Sequence, residues 1–138
     1  MRTIKELTVE AKLENMRIVM DFVNEQVTNH TNCSTKIHNQ ISIATDEIFS
    51  NIIKYSYNSE IGTVLVRIII EDDITIEFED NGVQFNPLTQ DNPVLSLPLE
   101  ERDTGGLGVF IVKNIMDLVE YKYVDNKNHL TVKKGFDN

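Results

Sequence analysis

Three short stretches of this chain carry side chains whose types and spacing can handle a charged ligand. The first is Glu47 and Asn51, within Ile41–Tyr57 (ISIATDEIFSNIIKYSY). At about 100° per residue, Ile41, Ala44, Ile48, Ile52 and Tyr55 fall in one stripe, the apolar face of a helix laid on a core. Glu47 and Asn51 stand four apart and share a face, and that face borders the stripe. A carboxylate and an amide at the margin of a buried face can line a pocket. A solvated Glu beside an ordinary Asn fits the same spacing.

The second stretch is Glu79-Asp80-Asn81-Gly82-Val83-Gln84-Phe85-Asn86-Pro87. Asp80 ends a strand, and Gly82 follows two residues later. Asp-Asn-Gly is by itself a common turn. Its functional alternative is a carboxylate that accepts a hydrogen bond from a buried amino group, with Gly82 letting the ligand come close to the backbone. The third is Thr104-Gly105-Gly106-Leu107-Gly108, which leads into the apolar run Val109-Phe110-Ile111-Val112. Glycines there let backbone N–H groups converge on an anion, and the helix start adds partial positive charge. A flexible loop with a close helix–sheet contact reads the same way. The spacing is neither the dinucleotide fingerprint nor a Walker A loop.

These stretches need elements to hold them. A chain of 138 residues with 41% apolar and 25% charged residues suits one domain, 1–138, with a real core. The net charge of −9 argues against nucleic-acid binding, which needs clustered Lys and Arg. A single cysteine, Cys33, suits a reducing compartment. No segment approaches the ~20 apolar residues of a membrane span, so the expected setting is the cytoplasm, with no membrane partner. Thr3–Val9 reads as a short edge strand, Asn15–Asn29 as an amphipathic helix, and Ser34 as the N-cap of the helix that carries Glu47. Thr63–Glu71 and Ile74–Glu79 form a hairpin turned at Asp72-Asp73. Asn81–Thr104, with Pro87, Pro93 and Pro98, reads as a loop of functional length. A helix over Leu107–Leu118 follows, then a hairpin of Val119–Val124 and Leu130–Lys134 around Asp125–Asn128. The expected fold is α+β: a two-layer sandwich whose mainly antiparallel, mixed sheet is covered on one face by three helices. His30, His38 and His129 show no metal-ligand spacing with one another or with Cys33.

Taken in order, Glu47-x-x-x-Asn51, Asp80-x-Gly82 and Gly105-Gly106-Leu107-Gly108 resemble the N-box and the two glycine boxes of the GHKL (Bergerat-fold, histidine kinase-like) ATPases. The resemblance runs over nearly the whole chain. It is finest toward the stand-alone anti-sigma-factor serine kinases, through Asp80-Asn81-Gly82-x-x-Phe85-Asn86-Pro87 and the run Gly105 to Tyr121. Asn51-Ile-Ile-Lys54-Tyr55 departs toward the sensor histidine kinases; the anti-sigma kinases often have His where Tyr55 stands. The resemblance implies ATP and Mg²⁺ as cofactors and a lid over about 86–104. It implies Glu47 as general base and Asn51 as the magnesium ligand. Asp80 would read the adenine amino group with Gly82 beside it, while Thr104, Gly105, Gly106, Leu107 and Gly108 would meet the phosphates. Lys54, Tyr55 and Arg102 join the nucleotide-binding set, and Thr131 on the last strand would reach the base through water. The implied partners are a sigma factor and a STAS-type antagonist, with a homodimer as a further expectation. The implied activity is phosphorylation of Ser or Thr on the antagonist. A binding module with little turnover and a histidine-kinase catalytic domain acting in trans are the alternatives.

Overall fold

The computed structural model describes residues 2–57, 60–89 and 104–136. Its elements are β1 (Thr3–Glu10), α1 (Met16–His30), α2 (Thr35–Asn51), β2 (Thr63–Ile70), β3 (Asp73–Asp80), α3 (Thr104–Ile115), β4 (Leu118–Val124) and β5 (Lys127–Gly135). This is the order expected from the sequence. Helix α2 starts where its cap predicts: the Ser34 hydroxyl oxygen accepts a hydrogen bond from the Ile37 N–H at 3.3 Å. The helix does not run regularly to Tyr57, because Ile52–Ser56 widens into a π-helical turn.

The β-branched run of β2 buries every second residue, Val64, Val66, Ile68 and Ile70. Strand β3 repeats the pattern with Ile74, Ile76, Phe78 and Asp80. The sheet order is β1-β2-β3-β5-β4, with β1 and β4 at the edges. All four pairings are antiparallel, so the expected mixed sheet is corrected to a wholly antiparallel one among the described residues. The helical hairpin α1–α2 returns the chain beside β1 in the opposite direction, and tight turns join β2 to β3 and β4 to β5.

All three helices lie on one face. Val19, Val23 and Val27 of α1, Ile37, Ile41, Ala44, Ile48 and Phe49 of α2, and Val112 of α3 with Met116 just beyond it meet the buried aliphatic rows of β2, β3 and β5. Helix α2 packs against both α1 and α3, so its Glu47–Asn51 end lies between the sheet and α3. The opposite sheet face is polar, with Arg67 bridging Glu6 at 2.6 Å and Glu77 at 2.7 Å across three strands. Exposed pairs of this kind add little stability. Of the expected lid at 86–104, residues 87–89 form a single 3-10 turn, and residues 90–103 lie outside the described residues.

Candidate functional site

The site begins where α2 changes its winding. The Tyr57 N–H bonds the Ile52 carbonyl at 3.2 Å, five residues back, so the helix widens there. Such turns recur at functional sites. Here the wide turn brings Ser56 inside, where it is buried. Its carbonyl accepts from the Val83 N–H at 2.8 Å. A Cβ on Gly82 would collide with that same carbonyl. The absent side chain at Gly82 therefore makes room for the chain itself. Tyr57 completes the joint: its hydroxyl donates to the Thr63 carbonyl at 2.7 Å and accepts from the Asn81 N–H at 2.9 Å. Tyr55, in the same turn, stacks on Phe85 with ring centroids 4.8 Å apart. It is half-buried, and it serves this contact where the sequence placed it in the core stripe.

Asp80 ends β3 with only 3% of its surface exposed. Its Oδ1 accepts from the Gly82 N–H and from Asn128 Nδ2, both at 2.9 Å. Burial raises its pKa above the ordinary 3.8, and the bonds from Asn128, Gly82 and the Ser56 hydroxyl pull only partly the other way. Asn128 was missed by the sequence reading, which put it in the β4–β5 turn. The turn is two residues long, Asp125 and Asn126, both at positive φ. Asn128 is thus a strand residue paired with Asp80. Its parity with Leu130 and Val132 was the available signal.

Asn51 is the last residue of α2 and is 6% exposed. It lines an apolar pocket together with Asp80, Asn128, Ile48, Phe78 and Val112. Its side-chain amide has no hydrogen-bond partner among the described residues. A buried amide left unpaired costs about 1–3 kcal/mol, so a ligand oxygen or cation there would repay it. One turn earlier, Glu47 lies against α3: a Cβ on Gly108 would run into the Glu47 carboxylate. Burial raises the Glu47 pKa above its ordinary 4.5, Asp46 raises it further, and Lys54 lowers it. The helix carrying Gly108 starts at Thr104, earlier than expected, so Gly105, Gly106, Leu107 and Gly108 form its first turns. The first four N–H groups of a helix lack intrahelical partners, which keeps the anion-binding expectation physically sound.

Asn51 and Asp80 thus line one cavity, with Gly82 behind Asp80, while Glu47 meets Gly108 one helical turn earlier, outside the cavity's lining, and Lys54 is exposed. Thr131 does not join them. It pairs with Glu77 and Glu120 and faces the polar side of the sheet, because its parity is opposite to that of the buried Leu130 and Val132. Arg102 lies outside the described residues. The donor set suits magnesium, which takes one or two protein oxygens and completes its octahedron with water and phosphate. Among the described residues no group of three or more His, Cys, Asp or Glu could hold a metal unaided. The Asn51 amide carries an oxygen of the kind such a site asks of the protein.

A family profile described as Histidine kinase-like ATPase domain matches residues 9–134. The chain belongs to this family. Its relatives include the serine-protein kinase RsbW of Bacillus mycoides, 26% identical over 133 residues, covering 93% of this chain and 82% of that one. The serine/threonine-protein kinase BtrW of Bordetella bronchiseptica is 21% identical over 110 residues, covering 78% of each. Among solved structures, the RsbU and RsbW domains of a Mycobacterium tuberculosis protein superpose with a TM-score of 0.67 at 11% identity. That match covers 96% of this chain and 32% of the other, about a third of its length, and it speaks for the fold alone. No helix among the described residues is long and apolar enough to cross a membrane.

Proposed function

We propose that this member of the histidine kinase-like ATPases binds Mg-ATP and works as a cytoplasmic partner-switch regulator. In this reading it phosphorylates a serine or threonine of an antagonist protein of the STAS type, and it holds a sigma factor or similar regulator. The observation that carries the reading is the buried Asn51 amide, without a partner among the described residues, in the same pocket as the buried Asp80 carboxylate. An apolar slot with few convergent polar groups suits a planar base. The Asp80 carboxylate accepts from an exocyclic amino group, Asn51 meets the metal, and the first turns of α3 face the phosphates with free N–H groups. Magnesium, when bound, screens the phosphate charge against the approaching nucleophile.

In the transfer, the hydroxyl oxygen of the target residue bonds to the γ-phosphorus. The bond from that phosphorus to the β,γ-bridging oxygen breaks, and ADP leaves. The hydroxyl proton passes to Glu47, whose raised proton affinity suits a base. Kinship with proteins named serine and serine/threonine kinases supports the chemistry at low identity.

Titration calorimetry with Mg-ATP and phosphotransfer to neighbouring antagonists test the reading. Glu47→Gln keeps nucleotide affinity within a few fold while transfer falls by about 10²–10⁴-fold. Binding without transfer to any antagonist would leave an ATP-dependent binding module. Absence of binding would end the reading.

A further inference from the structure

Asn128 spends its whole hydrogen-bonding capacity inside the protein. It is 4% exposed, and its Nδ2 donates to Asp80 Oδ1 at 2.9 Å and to the Val83 carbonyl at 2.9 Å. Its Oδ1 accepts from the Phe85 N–H at 3.0 Å and from the Tyr121 hydroxyl. That is two donors and two acceptors, the full complement of an amide. The orientation is forced: the Phe85 N–H can only donate and the Val83 carbonyl can only accept, so a flipped amide would lose both. Asn128 thus links β5, β4, the end of β3 and the turn after it.

The consequence falls on Asp80. Its Oδ1 already takes the Gly82 N–H and Asn128 Nδ2, so both lone-pair positions there are filled. An incoming donor must meet Oδ2. Without Asn128 the carboxylate keeps the Gly82 N–H and the Ser56 hydroxyl but gains an open acceptor site on Oδ1, and the turn bearing Phe85, part of the pocket wall, loses its anchor.

We infer that Asn128 is a positioning residue that holds the Asp80 carboxylate with one oxygen turned to the ligand, and so sets the pocket's selectivity for an amino-bearing purine over one without the amino group. This inference rests on the nucleotide reading above and adds to it the residue that makes the carboxylate selective. Asn128 lines the pocket but has no polar atom left for a ligand, and it acts through Asp80.

The test compares affinities for Mg-ATP and for magnesium purine riboside triphosphate, the same nucleotide lacking the 6-amino group. A charged hydrogen bond makes the native protein prefer ATP by about 10- to 100-fold. Asn128→Asp keeps the shape and the acceptor contacts to Phe85 and Tyr121 but puts a second acceptor against Asp80. The expected result is a preference within about 3-fold of unity in a variant that still melts cooperatively. Should that variant not fold, Tyr121→Phe removes a single bond to Asn128, and its preference drops in the same direction by a smaller factor. A merely structural role would weaken both nucleotides together and leave the ratio intact, and that result overturns the inference while the nucleotide reading stands. A native protein that binds neither nucleotide overturns the nucleotide reading and this inference with it, and one that binds both equally overturns this inference alone.

Discussion

At the residue scale, Asn51 sets stability against function. Its buried amide has no hydrogen-bond partner among the described residues, and a group left so costs the fold stability. Asn51→Leu removes the unpaired group from an already apolar wall. Unfolding in urea therefore shows the variant as stable as the native chain or more so, by up to about 1–3 kcal/mol, while Mg-ATP affinity falls at least about tenfold. A variant that is less stable and still binds nucleotide normally would contradict this role. Glu47 gives a pH signature. A base works deprotonated, and its pKa lies above the ordinary 4.5 because burial and then Asp46 disfavour the charge. The transfer rate falls as pH drops through that raised value, so the acid limb sits above pH 4.5. Lys54 pulls the pKa back down, so Lys54→Met moves the limb to higher pH still, read from rates across a pH series.

At the scale of elements, the joint between α2 and the turn after β3 decides whether the pocket exists. Gly82→Ala drives a Cβ into the Ser56 carbonyl, which is backbone and cannot rotate aside. Overpacking of this kind costs about 1–3 kcal/mol. The thermal midpoint falls, and nucleotide binding weakens more than Gly108→Ala weakens it, because the obstacle at Gly108 is the end of a flexible glutamate. The elements themselves were readable from local rules. Ser34 and the apolar stripe located α2, and the β-branched run located β2. What escaped was long-range pairing. A π-turn has no composition of its own, so Ile52–Ser56 read as more α-helix. Asp125–Asn128 read as one polar turn because the sequence does not show that Asp125 and Asn126 alone reverse the chain. That shift leaves Asn128 in the loop, and Thr131, which the resemblance places near the base through water, is assigned to the other face by Leu130 and Val132 on either side. Glu47, Asn51, Asp80 and Gly108 stand out in the sequence because each sits in a motif with fixed local spacing.

At the scale of the whole molecule, one antiparallel sheet carries three helices on a single face, and the pocket is cut into the seam between the two layers. A ligand in that seam touches α2, α3, β3, β4 and β5 together, so it stabilises the molecule as one unit. Mg-ATP at about 100 times its dissociation constant adds roughly 2.7 kcal/mol, a rise in the melting midpoint of about 5–10 °C for a chain of this size. Chelating the magnesium reverses part of that rise. A calorimetric scan showing no shift at saturating nucleotide would place the ligand elsewhere or nowhere. The distribution of aromatic rings has an optical consequence. The chain has four tyrosines and no tryptophan. Tyr55 rests on Phe85, Tyr57 clasps Asn81, and Tyr121 is in the cavity wall. Tyr121 in that wall and Tyr55 stacked on Phe85 of the same wall report from the cavity, and ultraviolet emission follows its occupancy without any attached dye.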